Sequence, residues 1–232
     1  MKELTNITSI TTDDPYVTVL FKNISGDKHV MSVRKGETIF SQGDRADSVY
    51  YIQSGSVKIS VVSYAGKEGV LAIMGAHGFF GEESLAEQSR RMNTATAMET
   101  STLLQVEKRA MVRALHAESD LAEVFMAFLL KRSINLEEDL ADQLFNHSEK
   151  RLARVLLKLA QLGEHGAVPD MTIPKLSHET LAEMVGTTRS RITHFMNKFR
   201  KMHLIEYNGH ARDSGFGLIV RTGRLTEVVL QD

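Results

Sequence analysis

Two periodicities divide the chain. Between Val33 and Met111, short β-branched and aromatic runs are broken by Gly36, Gly43, Gly55, Gly66, Gly69, Gly75, Gly78 and Gly81. Short strands with turn signals every ~8–12 residues predict an all-β sandwich or barrel. Val57, Ile59 and Val61 alternate with Ser56, Lys58 and Ser60, as in a strand with one buried face. Ala65-Gly66-Lys67 predicts a hairpin turn. Residues 1 to about 30 are weakly patterned; Asp13-Asp14-Pro15 reads as a turn or helix start, with a short helix through Leu20 and Phe21.

From Ser119 the period lengthens. Leu121, Phe125, Phe128, Leu129, Leu136, Leu140 and Leu144 recur at steps dominated by three and four residues, with no Gly or Pro as far as Phe145. One helix of about 27 residues, roughly 40 Å long, is expected. Such a helix bridges domains or zips to a copy of itself; the plainer alternative packs it on the barrel. A further helix, EKRLARVLLKLAQLG, follows with Ser148 as N-cap and Gly163 as its end. Gly166 to Pro174 reads as a loop or short strand.

Leu176 to Lys201 then predicts two short helices joined at Gly186, whose freedom at positive φ permits a tight turn. Ser177 caps the first, Glu179 sits near its positive end, and Leu181, Met184 and Val185 form its buried side. Thr187 or Thr188 caps the second, on which Ile192, Phe195, Met196 and Phe199 make one apolar stripe. After it, LIEYNG and GLIVR are strand-like, with Asn208-Gly209 as a turn, which predicts a β-hairpin wing. The tail LTEVVLQD fits helix or strand.

At ~100° per residue, Ser190, Thr193, His194, Asn197 and Lys201 lie opposite the stripe of the second helix. Arg189 flanks its first turn, and Arg191 and Lys198 lie on the other flank. Arg189 to Lys201 holds five basic residues and no acidic one. Arg bonds guanine bidentately, Asn bonds adenine, and Ser, Thr and His reach bases or phosphates. The pair is therefore expected to read double-stranded DNA; a solvated basic surface helix is the plainer alternative.

Composition narrows the setting. A chain of 232 residues, 42% hydrophobic and 25% charged, has room for two ordinary globular domains. The net charge of −1 hides an asymmetry: from Ser148 onward 13 Lys/Arg face 9 Asp/Glu, against 15 and 20 before it. No apolar run of ~18 residues predicts a membrane span, and the N-terminus lacks a signal-peptide core, so a cytoplasmic protein is expected. With Cys 0, disulfides, cysteine-ligated iron–sulfur clusters and thiol catalysis are excluded. A metal-dependent barrel enzyme needs clustered His and Glu, but His29 and His77 are far apart with no matching motif, so no enzyme is expected. Haem is not expected either, since His77 has no recognisable axial partner. A nucleotide-binding module that controls a protein partner is a further rival, opposed by the basic helix.

The blocks KGETIFSQGDRADSVYYIQSGSVKI, GFFGEESL, SEKRLARVLLKLA and LAEMVGTTRSRITHFMNKFRK, in this order, resemble the cyclic-AMP receptor protein/fumarate–nitrate regulator (CRP/FNR) family of bacterial transcription factors. The resemblance implies an α+β chain. Its parts would be a β jelly-roll effector domain over 1–118, a long dimerisation helix over 119–146 and a winged helix-turn-helix over 147–232. The apolar residues of the long helix, Leu121 through Leu144, become the dimer seam. A homodimer on a palindromic operator, with RNA polymerase as a further partner and no membrane, is expected.

In nucleotide-binding members a Gly-Glu pair and an Arg-Ser/Thr-Ala triplet hold ribose and phosphate. Gly81, Glu82 and Arg91 match, but Met92 and Asn93 stand at the Ser/Thr and Ala positions. The adenine-contacting Thr-Ser pair becomes Leu136-Glu137. These departures point away from cyclic AMP bound in the usual way. Gly81-Glu82 is then a structural turn, with Arg91 a partner for Glu82 or another carboxylate. A different small ligand, or a cAMP- or cGMP-responsive domain, is the alternative. In the recognition helix Arg189 matches the family, whereas Ser190 and His194 replace a cytosine-reading Glu and an Arg, so no known operator transfers.

Overall fold

A computed structural model describes residues 28–86, 88–161, 170–174, 176–207 and 217–230. The expected helix through Leu20 and Phe21, the Asp13-Asp14-Pro15 turn, the Gly163 helix end and the Asn208-Gly209 turn lie outside the described residues. Two compact units divide between residues 137 and 138, with residues 68–70 grouped in the second.

The first unit holds two four-stranded sheets, ordered β1-β8-β3-β6 and β2-β7-β4-β5. The strands are β1 (Lys28–Val33), β2 (Thr38–Phe40), β3 (Ser48–Ser54), β4 (Val57–Val62), β5 (Glu68–Met74), β6 (Phe79–Phe80), β7 (Thr94–Ala97) and β8 (Ser101–Glu107). Neighbours far apart in sequence pair antiparallel, as β1 does with β8 and β4 with β7, which gives the rolled arrangement expected. Val33, Ile52, Val57, Ile59, Phe80 and Leu103 form one buried cluster. The predicted hairpin turn is present: Ser63 N–H donates to Lys67 O at 2.9 Å, with Gly66 at φ 76°. The alternation in β4 holds at Val57 and Ile59 but not beyond, since Ser60 is buried and Val61 half-exposed. The β4–β7 ladder ends at the Ser60–Thr94 pair, one residue before Val61.

Helix α1 (Lys108–Ala117) leads into α2 (Ser119–Phe145), a single helix of 27 residues. Its first turns face the β core. Leu121, Val124 and Phe125 are buried with Tyr51, Phe79, Leu104 and Met111, and Phe128 packs against the same cluster. Phe79 meets the rings of Phe125 and Phe128 edge-on, at 5.5 and 4.9 Å. This corrects the reading of the whole stripe as a dimer seam. Leu121 and Phe125 are 0% and 5% exposed within their own chain, whereas Leu136, Leu140 and Leu144 are 51%, 60% and 67% exposed. The packing on the β core anticipated for the long helix thus holds for its first turns, while the later leucines are left exposed. Met126, Leu129 and Leu130 continue the exposed set, which is centred about a third of a turn round from the buried one.

In the second unit, α3 (Ser148–Gln161), α4 (His178–Val185) and α5 (Arg189–Lys201) accompany a three-stranded antiparallel sheet ordered β10-β11-β9. β9 is Asp170–Pro174, β10 Ile205–Tyr207 and β11 Gly217–Arg221. The ambiguous tail forms helix α6 (Thr222–Leu230), which buries Leu225. Helix α3 starts at Ser148 itself: Arg151 N–H donates to His147 O at 3.1 Å, so His147, not Ser148, holds the cap position. Asp142 and Asp139 near the end of α2 pair with Arg154 and Lys158 of α3. No helix among the described residues is long and apolar enough to cross a membrane.

Candidate functional site

The helix pair is built as its sequence directs. Ser177 Oγ accepts from Thr180 N–H at 3.0 Å and caps α4. Gly186 ends α4 at φ 68° and ψ 44°, the left-handed conformation that a side chain resists. Of the two candidate caps for α5, Thr188 takes the place, accepting from Arg191 N–H at 3.4 Å. Ile192, Phe195, Met196 and Phe199 are all buried, which sets the side of the helix that turns outward.

With that stripe buried, Arg189, Ser190, Arg191, Thr193, His194, Asn197, Lys198 and Lys201 are all exposed. The side chains of Arg189, Arg191, Asn197 and Lys201 make no hydrogen bond or ion pair to another described residue. Two members of the predicted face are committed within the chain. Lys198 Nζ lies 2.7 Å from Glu149 Oε1, so its charge is answered by α3 and it is not a free cation. Thr193 Oγ1 donates to Arg189 O at 3.0 Å and lies 2.9 Å from His178 Nδ1, which leaves its hydroxyl no proton for a base. Neither restraint was legible, because Glu149 and His178 come from separate helices. Beside the face, the Tyr207 phenol is pushed above its ordinary range by burial, against the pull of Arg200.

The second candidate cluster lies between β6 and β7. Arg91 is buried and surrounded by acceptors of its own chain. Nη2 donates to Ser48 O at 2.8 Å, and Nη1 donates to Gly81 O at 3.0 Å and meets Glu83 Oε1 at 3.3 Å. The guanidinium lies 4.2 Å above the ring centroid of Phe40, a favourable cation–π position. Arg91 meets a carboxylate other than Glu82, that of Glu83. Glu82 instead meets Arg132 of α2, at 2.9 Å. Burial pushes the Glu82 carboxyl above the usual carboxylate range, with Arg132 pulling the other way.

Gly81 has φ 77°, and a Cβ there would stand 2.7 Å from Arg91 Nη1. Met92 is exposed and supplies no hydroxyl. Leu136 and Glu137 are exposed on α2. Arg132 escaped the sequence reading although a signal existed: it continues the step Leu121, Phe125, Phe128 as the one charged residue on the face turned to the β core. Three buried atoms, Glu82 Oε2, Arg91 Nε and Asn93 Oδ1, have no hydrogen-bond partner among the described residues. His77, at φ 67°, faces Tyr51 with Nδ1 at 2.8 Å from the phenol oxygen.

Residues 30–118 match the family model of the cyclic nucleotide-binding domain, and residues 150–213 that of the Crp-like helix-turn-helix domain. The chain is 30% identical over 192 residues to the global nitrogen regulator of Synechococcus elongatus, covering 80% of this chain and 86% of that one. It is 29% identical over 178 residues to a CRP-like cAMP-activated global transcriptional regulator of Mycobacterium tuberculosis, covering 75% and 79%. Among solved structures, FixK2 from Bradyrhizobium japonicum superposes with a TM-score of 0.73 at 18% identity, over 87% of this chain and 97% of that one. That likeness concerns the fold alone. Together with the caps, the turn and the basic face, these similarities show that the chain belongs to the CRP/FNR family of transcription regulators.

Proposed function

We propose that the protein reads a palindromic DNA operator as a homodimer through α5, and that its β domain does not take cyclic AMP in the usual way. The observation that carries the DNA reading is the face of α5, where Arg189, Arg191, Asn197 and Lys201 are exposed and unanswered by described residues. A buried stripe behind them holds that face outward. Arg189, Ser190, His194 and Asn197 are the base readers, and Arg191 and Lys201 serve the backbone. Thr193 and Lys198 leave the reading set.

Dimerisation rests on Leu129, Leu136, Leu140 and Leu144 together with Met126 and Leu130. A two-fold dimer would place half-sites about one helical turn, ~34 Å, apart. RNA polymerase is the expected further partner.

In the β domain, Ser48, Gly81 and Glu83 already engage both terminal nitrogens of Arg91, with Phe40 beneath the guanidinium, which speaks against a phosphate there, and Met92 removes a hydroxyl donor. The Glu82–Arg132 pair joins the turn after Gly81 to α2, so a change in the β domain would reach the helix through it. A second reading, a cAMP- or cGMP-responsive regulator, is favoured by the kept Gly81, Glu82 and Arg91 and by the partnerless Glu82 Oε2 and Arg91 Nε.

Selection of bound DNA from a random pool, with and without cAMP and cGMP, tests both readings. The expected result is a palindrome recovered equally in every arm. A palindrome recovered only with a cyclic nucleotide would establish the second reading, and no enrichment in any arm would sink the first.

A further inference from the structure

Thr193 stands on the exposed side of α5, yet its hydroxyl points back into the protein. A threonine hydroxyl has one hydrogen. Here it goes to Arg189 O at 3.0 Å, the backbone oxygen of the first residue of α5. The hydroxyl oxygen then accepts, and its neighbour at 2.9 Å is His178 Nδ1. The Nδ1 atom must therefore carry the proton and donate. His178 is the first residue of α4, and Thr193 lies in the second turn of α5. The chain His178 Nδ1–H···Thr193 Oγ1–H···O=C Arg189 thus ties the start of one helix to the start of the other.

The apolar contacts behind the pair cannot do this alone. Leu181, Val185, Ile192 and Met196 are buried and hold the two helices together. Such contacts are non-directional and permit small rolls of α5 about its axis. Recognition demands more, with groups held within ~0.5 Å and 10–20°. A directional bond on the open side of the pair supplies the missing restraint, and it acts at Arg189.

We infer that His178 and Thr193 are positioning residues for base discrimination: their hydrogen-bond relay sets the pose of Arg189, and neither touches a base through its polar atoms. The inference rests on the proposal that α5 reads DNA. A general anchoring role would weaken binding to all DNA alike. A positioning role changes the ratio between the operator and a mismatched site.

Thr193→Val keeps the shape and the methyl group and removes only the hydroxyl; Thr193→Ser keeps the hydroxyl. His178→Ala removes the donor, and His178→Asn keeps an N–H near Nδ1. For the full chain and each variant, affinity is measured for the selected operator, for that operator changed at the base pair under Arg189, and for unrelated DNA. The salt dependence and thermal unfolding are recorded alongside.

Thr193→Val and His178→Ala are expected to lower the ratio of operator to mismatched site about three- to tenfold, the scale of one hydrogen bond. Binding to unrelated DNA and the salt slope stay unchanged. Thr193→Ser and His178→Asn retain the ratio, and the double variant His178→Ala/Thr193→Val falls no further than either single one, as members of one relay should. An unchanged ratio in Thr193→Val, or a purely additive double variant, overturns the relay. An Arg189→Ala chain that still discriminates fully overturns the DNA reading itself, a distinct result.

Discussion

Arg91 and Arg189 carry the same guanidinium in opposite circumstances. Arg91 is buried, meets Ser48, Gly81 and Glu83, and stacks on Phe40. Arg189 is exposed and its side chain bonds to no described residue. A buried charge must be answered within the molecule or it is not tolerated. An exposed one, turned outward by the apolar stripe buried beneath it, is free for an external anion. The same contrast runs along α2, where Leu121 and Phe125 are answered by the β core while Leu136, Leu140 and Leu144 face out. What the chain satisfies for itself marks its scaffold; what it leaves open marks its partners.

The contrast can be broken at each of these points, and the largest effect is expected on α2. Each leucine buried in a seam contributes about 1.5–3 kcal/mol, and two-fold symmetry counts each one twice. Leu136→Glu with Leu140→Glu should therefore yield monomers in sedimentation equilibrium while the β domain stays folded. A dimer of unchanged affinity would place the seam elsewhere.

Removing the buried cation comes next. Arg91→Ala strands Glu83, Gly81 O and Ser48 O in a closed site, and should cost about 3–5 kcal/mol by urea denaturation. A negligible loss would mean that the cluster is open to solvent or to a ligand. Gly81→Ala should cost about 1–2 kcal/mol for the left-handed backbone alone. The approach of the new Cβ to Arg91 Nη1 adds to that cost.

The exposed face offers a finer test. Lys201→Ala should lower the slope of log affinity against log salt by about 1, the signature of one lost phosphate contact. Lys198→Ala should lower it by less, because Glu149 already balances that charge.

The smallest expected effect is on pH. The Glu82 carboxyl is raised in the folded state, so the protonated form is favoured there. Its contribution to stability is full below the unfolded value of 4.5 and is lost as pH rises through the higher folded value. Unfolding of Glu82→Gln followed from pH 4 to pH 7 should lack that decline. A decline equal to that of the unaltered chain would show that Glu82 is not its source.

How far the sequence carried this picture depends on where each restraint originates. The α5 stripe, the Gly186 turn and the Ser177 cap are local and periodic, so residue types at fixed spacing sufficed. The length of α2 was legible for the same reason. Its division into a packed part and an open part was not, because apolar residues on two adjoining faces merge into one stripe when only spacing is read. Arg132 with Glu82, Lys198 with Glu149, and His178 with Thr193 join segments far apart in the chain. Side-chain pairing of that kind is set by tertiary packing and leaves no mark in either segment alone. The choice of Glu83 over Glu82 for Arg91 is of the same sort, decided by one residue of phase in the short 3-10 helix Glu82–Ala86.

If Arg189, left unanswered by the described residues of its own chain, reads a base in the operator, its removal must show at one position of each half-site. Selection from a random DNA pool, repeated with Arg189→Ala beside the unaltered protein at the same salt, tests it directly. The variant is expected to lose its preference at one position in each half-site, with about 1–3 kcal/mol of discrimination gone there and binding to unrelated DNA little changed. Recovery of the same palindrome, with the same preference at every position, would contradict that reading.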